Sequence, residues 1–448
     1  MSETVYDTES QVTEAQQAAL RLANVSEADR NATLQSIADA IRDNSEAILE
    51  ANEKDVAQAE EMLAKGEYTQ ALVDRLKLDD GKLESIAEMV ESVAAQDDPL
   101  GETLDARELD DDLELYKVAV PIGVVGTIFE SRPDALVQIA ALSLKSGNSV
   151  ILKGGSEASE SNRVLYETIV EATEGIDAVP EGWAQLIEAH EEVDALLSMD
   201  DKVDLIMPRG SSEFVSYIQD NTQIPVLGHT EGVCHVYVDS EADLEMAADI
   251  AFDAKTQYPA VCNAVETLLV SEDVAADFLP GMVARYEDAG VTLRGCPTTQ
   301  EFVDIDPATD EDWATEYGDL ELSIKVVEDV YDAIDHANTF GSKHTESIVT
   351  EDSEAAEVFM TGIDAASVFH NASTRFADGY RYGLGAEVGI STGKIHARGP
   401  VGLAGLTTYK YYLEGDGQLV ATYAGDDAKP FAHRDFEGDW RPGQLSGN

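Results

Sequence analysis

One cysteine sits where this chain could do covalent chemistry. In DAKTQYPAVCNAVETLLV, Asp253 to Val270, Cys262 follows a turn at Pro259, neighbours Asn263 and precedes an apolar run, Val265 to Val270. A thiol where a loop runs into a strand can face a cleft, and its thiolate can capture an acyl group. Free cysteines are more often small buried hydrophobes, the reading given to Cys234 and Cys296. For Cys262, the adjacent Asn263 and the nearby Lys255 weigh against it. The three cysteines cannot all pair and lack metal-ligand spacing, so neither a disulfide framework nor a metal centre is expected.

Two other turns suit anions or sugars. VILKGGSEA sets Lys153, Ser156 and Glu157 directly after an apolar strand, where an ammonium suits ribose hydroxyls or a phosphate. MPRGSSEF sets Gly210, Ser211 and Ser212 before a helix expected to open at Glu213. Free N–H groups at a helix start bind anions, although a solvent-facing cap has the same composition. No GxGxxG fingerprint is present. Basic residues are few, so their clustering is informative. Arg375, Arg381, Lys394 and Arg398 share one Gly-rich stretch, and Arg132 in ESRP follows a strand end. Guanidinium groups in such places meet carboxylates or phosphates, or pair with the abundant acidic side chains. His344 in GSKHTES fits a core, capping or functional role equally.

Positioning these residues requires an α/β framework. Helices are expected over the first hundred residues, with Ser26 and Asp29 resembling a capping box ahead of Leu34, Ile37, Ala38 and Ile41. Lys117 to Glu130 reads as one strand, Asp134 to Gly147 as a helix and Ser149 to Gly155 as a second strand, a unit of a parallel sheet. Short strands are expected at Ala184 to Glu188, Leu205 to Met207 and Ile224 to Leu227, giving a doubly wound α/β domain over residues 1–238. A second α/β domain is expected over 239–400, a returning strand within 401–424, and a loosely held polar tail over 425–448.

The chain is 448 residues long with 44% hydrophobic residues, enough for two or three domains. Its 89 acidic against 29 basic residues give a formal charge of -60. Such a surface repels nucleic acid and anionic membranes, and suits a salt-saturated cytosol that screens self-repulsion. No signal peptide or membrane span is evident, so a cytoplasmic location is expected.

Several motifs occur in the order of one family. GTIFESRPDA, VILKGGSEA, MPRGS, AKTQYPAVCNAVETLLV, VEDVYDAIDHANTFGSKHTESIV and GISTGKIHARGPVGLAGLTTYK resemble the gamma-glutamyl phosphate reductases of the aldehyde dehydrogenase superfamily. The resemblance runs from about Lys117 to Leu413. It implies a cofactor domain, a catalytic domain and an oligomerisation strand near Leu406 to Leu413, hence a homo-oligomer. It casts Cys262, with Asn263 beside it, as catalytic, and NADPH as reductant, with Lys153 and Ser156 near the adenosine ribose. Gly210 and Ser211 fall near the pyrophosphate, and Glu316 holds the nicotinamide ribose. Ser131, Arg132, Arg375 and Arg398 are the implied substrate contacts, with Ser131 near the position of the superfamily's oxyanion asparagine. Functional coupling to glutamate 5-kinase is implied too. Where oxidative relatives carry a glutamate base, GHTEGVCHV places His229, with Glu231 two residues on; a reductase should not hydrolyse its thioester. An oxidative NAD(P)-dependent aldehyde dehydrogenase is the alternative.

Overall fold

Apolar residues at helical spacing bury one face of each early helix. The computed structural model describes residues 3–130 and 132–441, save the side chains of residues 3–7, 71 and 190. Helices α1 (Glu3–Leu22), α2 (Glu27–Asp43), α3 (Ser45–Lys65), α4 (Gln70–Leu76) and α5 (Asp80–Ala95) come first. The Ser26 hydroxyl caps α2 by accepting the Asp29 N–H at 3.2 Å, which satisfies one orphan donor of the first turn. Leu34, Ile37, Ala38 and Ile41 then enter one core with Leu136, Ile139 and Leu142.

The apolar run read as one strand over Lys117 to Glu130 is two strands in two sheets. β1 (Thr103–Asp110) and β2 (Leu113–Pro121) pair antiparallel, whereas β3 (Val124–Phe129) belongs to a parallel sheet. Pro121 cannot donate to a ladder. Gly123 adopts φ +134°, and a Cβ there would lie 2.2 Å from the Asp204 carboxylate, which accepts the Val124 N–H at 2.8 Å. The break thus rests on a partner 80 residues away, invisible to local periodicity.

The first parallel sheet continues with α6 (Pro133–Lys145), β4 (Ser149–Gly154), α7 (Ser159–Thr173), β5 (Ala184–Leu186), α8 (His190–Leu197), β6 (Leu205–Arg209) and α9 (Ser212–Asp220). Its order is β5-β4-β3-β6. Ile224 to Leu227, expected as a strand, makes only one bridge, between Ile206 and Val226.

The second sheet holds β7 (Cys234–Val238), α10 (Leu244–Thr256), β8 (Val265–Ser271), α11 (Glu272–Asp288), β9 (Thr292–Gly295), β10 (Asp306–Pro307), β11 (Glu321–Val327), α12 (Val330–Phe340), β12 (Thr345–Val349), α13 (Ser353–Gly362) and β13 (Ser367–His370). All neighbours are parallel in the order β10-β9-β11-β8-β7-β12-β13. A division after residue 238 therefore falls one strand late, because β7 pairs with β8 and β12 inside this second sheet.

Two short strands, β14 (Ile390–Ser391) and β15 (Gly399–Pro400), precede β16 (Thr407–Gly415). β16 returns to pair with β2, from Thr407 opposite Pro121 to Gly415 opposite Leu113. The described part of the tail is not loosely held. β17 (Arg434–Asp435) pairs with β1, and Trp440 stacks on Tyr412 with ring centroids 3.9 Å apart. Lys429 and Tyr423 also bond Asp110. Two aromatic rings outweigh the polar composition that suggested a loose tail. Among the described residues, no helix is long and apolar enough to cross a membrane. Trp440→Ala should release this tail, raising amide exchange of Arg434 to Phe436 about tenfold, as read by hydrogen-exchange mass spectrometry.

Candidate active site

Two parallel sheets deliver their side chains from opposite strand ends. The carboxyl ends of β3 and β6 carry Glu130, Arg132, Arg209 and Gly210 into a cleft of about 560 Å³. Segments running into β7, β8 and β11 bring His229, Cys262 and Glu316 to the same cleft. His344, just ahead of β12, reaches Cys262 from behind.

The turn bearing Cys262 is pinned on three sides. Gly232 meets it backbone to backbone: a Cβ on Gly232 would lie 2.1 Å from the Cys262 carbonyl oxygen and 2.4 Å from its Cα. The Cys234 thiol donates to that carbonyl at 3.2 Å. Asn263 is buried, its Nδ2 donating to the Ala377 carbonyl at 2.8 Å. One of the two Asn263 Nδ2 hydrogens thus helps to hold the turn that carries Cys262.

Beside the partly exposed thiol lies an imidazole that sequence reasoning left undecided. His344 Nε2 is 3.2 Å from Cys262 Sγ, and its Nδ1 is 2.8 Å from Thr345 Oγ1. Burial, and then the neighbouring His229, hold His344 down to about 3. Burial pushes the Cys262 thiol up to about 12, helped by the charges of Glu316 and Glu387 and opposed by Arg209 and the residue's own N–H. The resting pair is therefore a neutral thiol beside a neutral imidazole. His229 Nδ1 lies 3.0 Å from the Ile390 carbonyl. A carbonyl only accepts, so Nδ1 carries the proton and Nε2 the lone pair.

Cations line the cleft that the thiol faces. Arg375 is buried, with Nε donating to Gln257 Oε1 at 3.0 Å. Arg132 is half-exposed beside Asp134. Arg209, which the sequence reading passed over, lines the cleft with its Nη1 buried and without a partner. Its signal was present in MPRGS, a cation at the end of an apolar strand, but that motif was read only for its glycine and serines. Arg398 does not join them. Its guanidinium bonds Asp364 at 3.0 Å, alongside Lys394 and Lys343, so pairing with an acidic side chain wins there. Two carboxylates complete the wall, Asp378 and Glu387, the latter accepting the Gly379 N–H at 2.9 Å.

The residues expected to hold a dinucleotide divide in two groups. Gly210, Ser211 and Glu316 line the cleft, whereas Lys153 and Ser156 do not. Lys153 Nζ donates to the Gly154 carbonyl at 2.7 Å, and Ser156 is exposed in the following turn. Helix α9 opens at Ser212, one residue earlier than expected. The Ser211 N–H there donates to Glu130 at 3.3 Å, and a Cβ on Gly210 would lie 2.8 Å from the same carboxylate. This cradle already takes an anion. Ser131 lies outside the described residues.

Glu316 sits on a braced turn. A buried Lys255–Glu266 pair, 2.7 Å apart, lies beneath it, with Glu266 accepting the Gly318 N–H at 3.3 Å. Tyr317 bonds Asp312 and Ser323, both at 2.8 Å.

Gly232→Ala should shift the Cys262 thiol while sparing the fold. About an ångström of displacement costs on the order of a hundredfold in kcat/KM, with far-UV circular dichroism unchanged. Because the folded thiol is raised, only its small thiolate fraction reacts near neutrality, and that fraction grows with pH. Alkylation of Cys262 by iodoacetamide should rise about tenfold per pH unit between pH 7 and 10; a plateau below pH 9 would contradict the assigned protonation.

A sequence model of the aldehyde dehydrogenase family matches residues 2–316. The chain is 72% identical over 437 residues to gamma-glutamyl phosphate reductase of Natronomonas pharaonis, covering 97% of this chain and 99% of that one. It is 70% identical over 440 residues to the enzyme of the same name from Haloquadratum walsbyi, covering 96% of each. The crystal structure of gamma-glutamyl phosphate reductase from Thermotoga maritima superimposes with TM-score 0.89 at 41% identity, covering 92% of this chain and 99% of that one. Likeness over nearly the whole length, in sequence and in fold, shows that the chain belongs to the gamma-glutamyl phosphate reductases of the aldehyde dehydrogenase family.

Proposed function

We propose that this chain reduces gamma-glutamyl phosphate to glutamate-5-semialdehyde and phosphate, through a thioester on Cys262 and with NADPH as reductant. The observation that carries the mechanism is the Cys262–His344 pair, 3.2 Å apart, facing a cleft walled by Arg132, Arg209 and Arg375.

As Cys262 sulfur attacks the gamma-carbonyl carbon, its proton moves to His344 Nε2. The C–O bond to phosphate breaks, and its electron pair leaves with the phosphate, which takes up the proton His344 holds. The Cys262 N–H donates to the oxyanion of each tetrahedral state. NADPH, when bound, supplies the hydride that the thioester carbon accepts. The resulting thiohemiacetal collapses: the C=O bond re-forms, the C–S bond breaks, and sulfur regains a proton from water by way of His344. One proton is consumed per turnover. The Gly210–Ser211 cradle at the start of α9 suits a pyrophosphate, and Glu316 suits a ribose diol; both line the cleft with Cys262. Lys153 and Ser156 remain candidates for the more distant adenosine ribose.

The substrate is a zwitterion with two anionic ends, which the cleft complements. Arg209 offers an unsatisfied, buried Nη1 to the leaving phosphate, and Arg375 a half-committed guanidinium to the alpha-carboxylate. Arg132 and, by family position, Ser131 stand nearby, while Asp378 and Glu387 suit the alpha-ammonium. Acyl phosphates hydrolyse readily, so a kinase acting on the gamma-carboxylate, glutamate 5-kinase, must supply the substrate, which places the chain second in proline biosynthesis in the cytoplasm. The edge strand β16 exposes Tyr409, Tyr411 and Leu413, a surface suited to a second copy. The charge of -60 and the likeness to Natronomonas and Haloquadratum enzymes support a salt-saturated interior.

Run backwards, NADP reduction by the semialdehyde should require phosphate or arsenate. Turnover without either anion would instead mark an oxidative aldehyde dehydrogenase. Arg209→Gln should raise the phosphate KM of that reverse reaction about tenfold or more, the loss of a charge-assisted contact, with a smaller effect on the KM for NADP. Cys262→Ala should abolish both directions.

A further inference from the structure

Three side chains from distant parts of the sequence converge on the nucleophile in a way the reduction does not fully use. His229, Cys262 and His344 each present one donor atom, and the three atoms lie within 4.8 Å of one another. The donors are a thiol sulfur and two imidazole nitrogens. His229 Nδ1 is tied to the Ile390 carbonyl at 3.0 Å, which leaves Nε2 as its free lone pair. His344 is tied at Nδ1 to Thr345 Oγ1 at 2.8 Å, with Nε2 facing the sulfur. Each imidazole is thus oriented by a hydrogen bond on its far nitrogen, the arrangement that prepares histidine to ligate a metal. The rings also stand nearly perpendicular, with centroids 5.4 Å apart.

We infer that these three residues form a site for a thiophilic divalent cation such as Zn²⁺, which withholds the nucleophile reversibly when substrate is absent. Sulfur with two imidazoles is a borderline-soft donor set that Zn²⁺ favours over Mg²⁺ or Ca²⁺. Tetrahedral zinc with one sulfur and two nitrogen ligands needs donor separations of roughly 3.3–3.6 Å. The Sγ to His344 Nε2 distance of 3.2 Å is already close to that, and drawing the others in takes up to roughly an ångström. The open cleft leaves the fourth position to water. On binding, the S–H bond breaks, its proton passes to solvent and an S–Zn bond forms; no electron is transferred. This inference goes beyond the reductase reading and is tested without substrate.

Co²⁺ serves as the spectroscopic probe, added to the reduced full-length protein in concentrated KCl. One ion per chain should bind with a thiolate-to-cobalt charge-transfer band, and stoichiometric Zn²⁺ should displace it and protect Cys262 from iodoacetamide. Surface carboxylates cannot produce that band, whatever their number. Cys262→Ala should abolish it. His229→Asn should weaken binding about tenfold or more, whereas Cys296→Ala should retain it. Should Cys262→Ala fold poorly, wild-type protein alkylated at Cys262 replaces it. Absence of the band, or an unchanged band in Cys262→Ala, in the alkylated protein or in His229→Asn, would overturn the inference.

Discussion

Strand polarity decides what can meet at this cleft. In a parallel sheet, all segments that enter strands lie at one end and all that leave lie at the other. β7, β8, β11 and β12 are neighbours or near neighbours in one such sheet, so the segments entering them place His229, Cys262, Glu316 and His344 at one end. β3 and β6 are paired in the other sheet, so the segments leaving them place Glu130, Arg132, Arg209 and Gly210 together. The site exists because the leaving end of one sheet faces the entering end of the other. Within it, contact between the Gly232 and Cys262 backbones sets the position of the thiol, and that contact exists because β7 and β8 are adjacent.

Electrostatics inside the cleft runs against the composition of the chain. A formal charge of -60 would make any unshielded thiolate still harder to form, and Glu316 and Glu387 do raise the Cys262 thiol. Arg209 opposes them from inside the cleft. The outcome is a thiol kept protonated beside an imidazole kept neutral, a pair that generates a nucleophile only as the proton moves. Holding the sulfur as thiol also limits side reactions while no substrate is bound. Beneath Glu316, the buried Lys255–Glu266 pair spends a cation of this lysine-poor chain on bracing a turn. Burial holds Glu266 up near 7 and drives Lys255 down, so that pair sits in an apolar setting where losing either partner would strand the other.

Much of the framework was legible because local chemistry dictates it. Ser26 caps a helix whose apolar face follows the expected spacing, and β4 and β8 fall on the runs read at Ser149 to Gly155 and Val265 to Val270. Cys262, the Gly210–Ser211 turn, Arg132 and Arg375 were named from motifs and Glu316 from the family resemblance, and all line one cleft. The errors share one cause. A strand's sheet, a tail's docking partner and a cation's neighbour are long-range facts. Val118 to Phe129 is apolar but for Thr127, yet Gly123 and Asp204 divide it between sheets. The tail is polar, yet Trp440 finds Tyr412. Arg398 shares a stretch with Arg375, yet Asp364 draws its guanidinium aside.

By itself the sequence determined the chemistry on offer: a thiol at a loop–strand junction, anion-binding turns, scarce cations and a strongly acidic surface. Residue type and local spacing suffice for that, since capping, periodicity and turn propensity act over a few residues. Only the tertiary structure decided which groups act on one another. His344 stands 82 residues from Cys262 and Gly232 packs on it from the segment that enters β7, while Arg209 and Arg375 arrive from different sheets or loops. Strand order sets those meetings, and strand order comes from packing the whole chain rather than from any one of its segments.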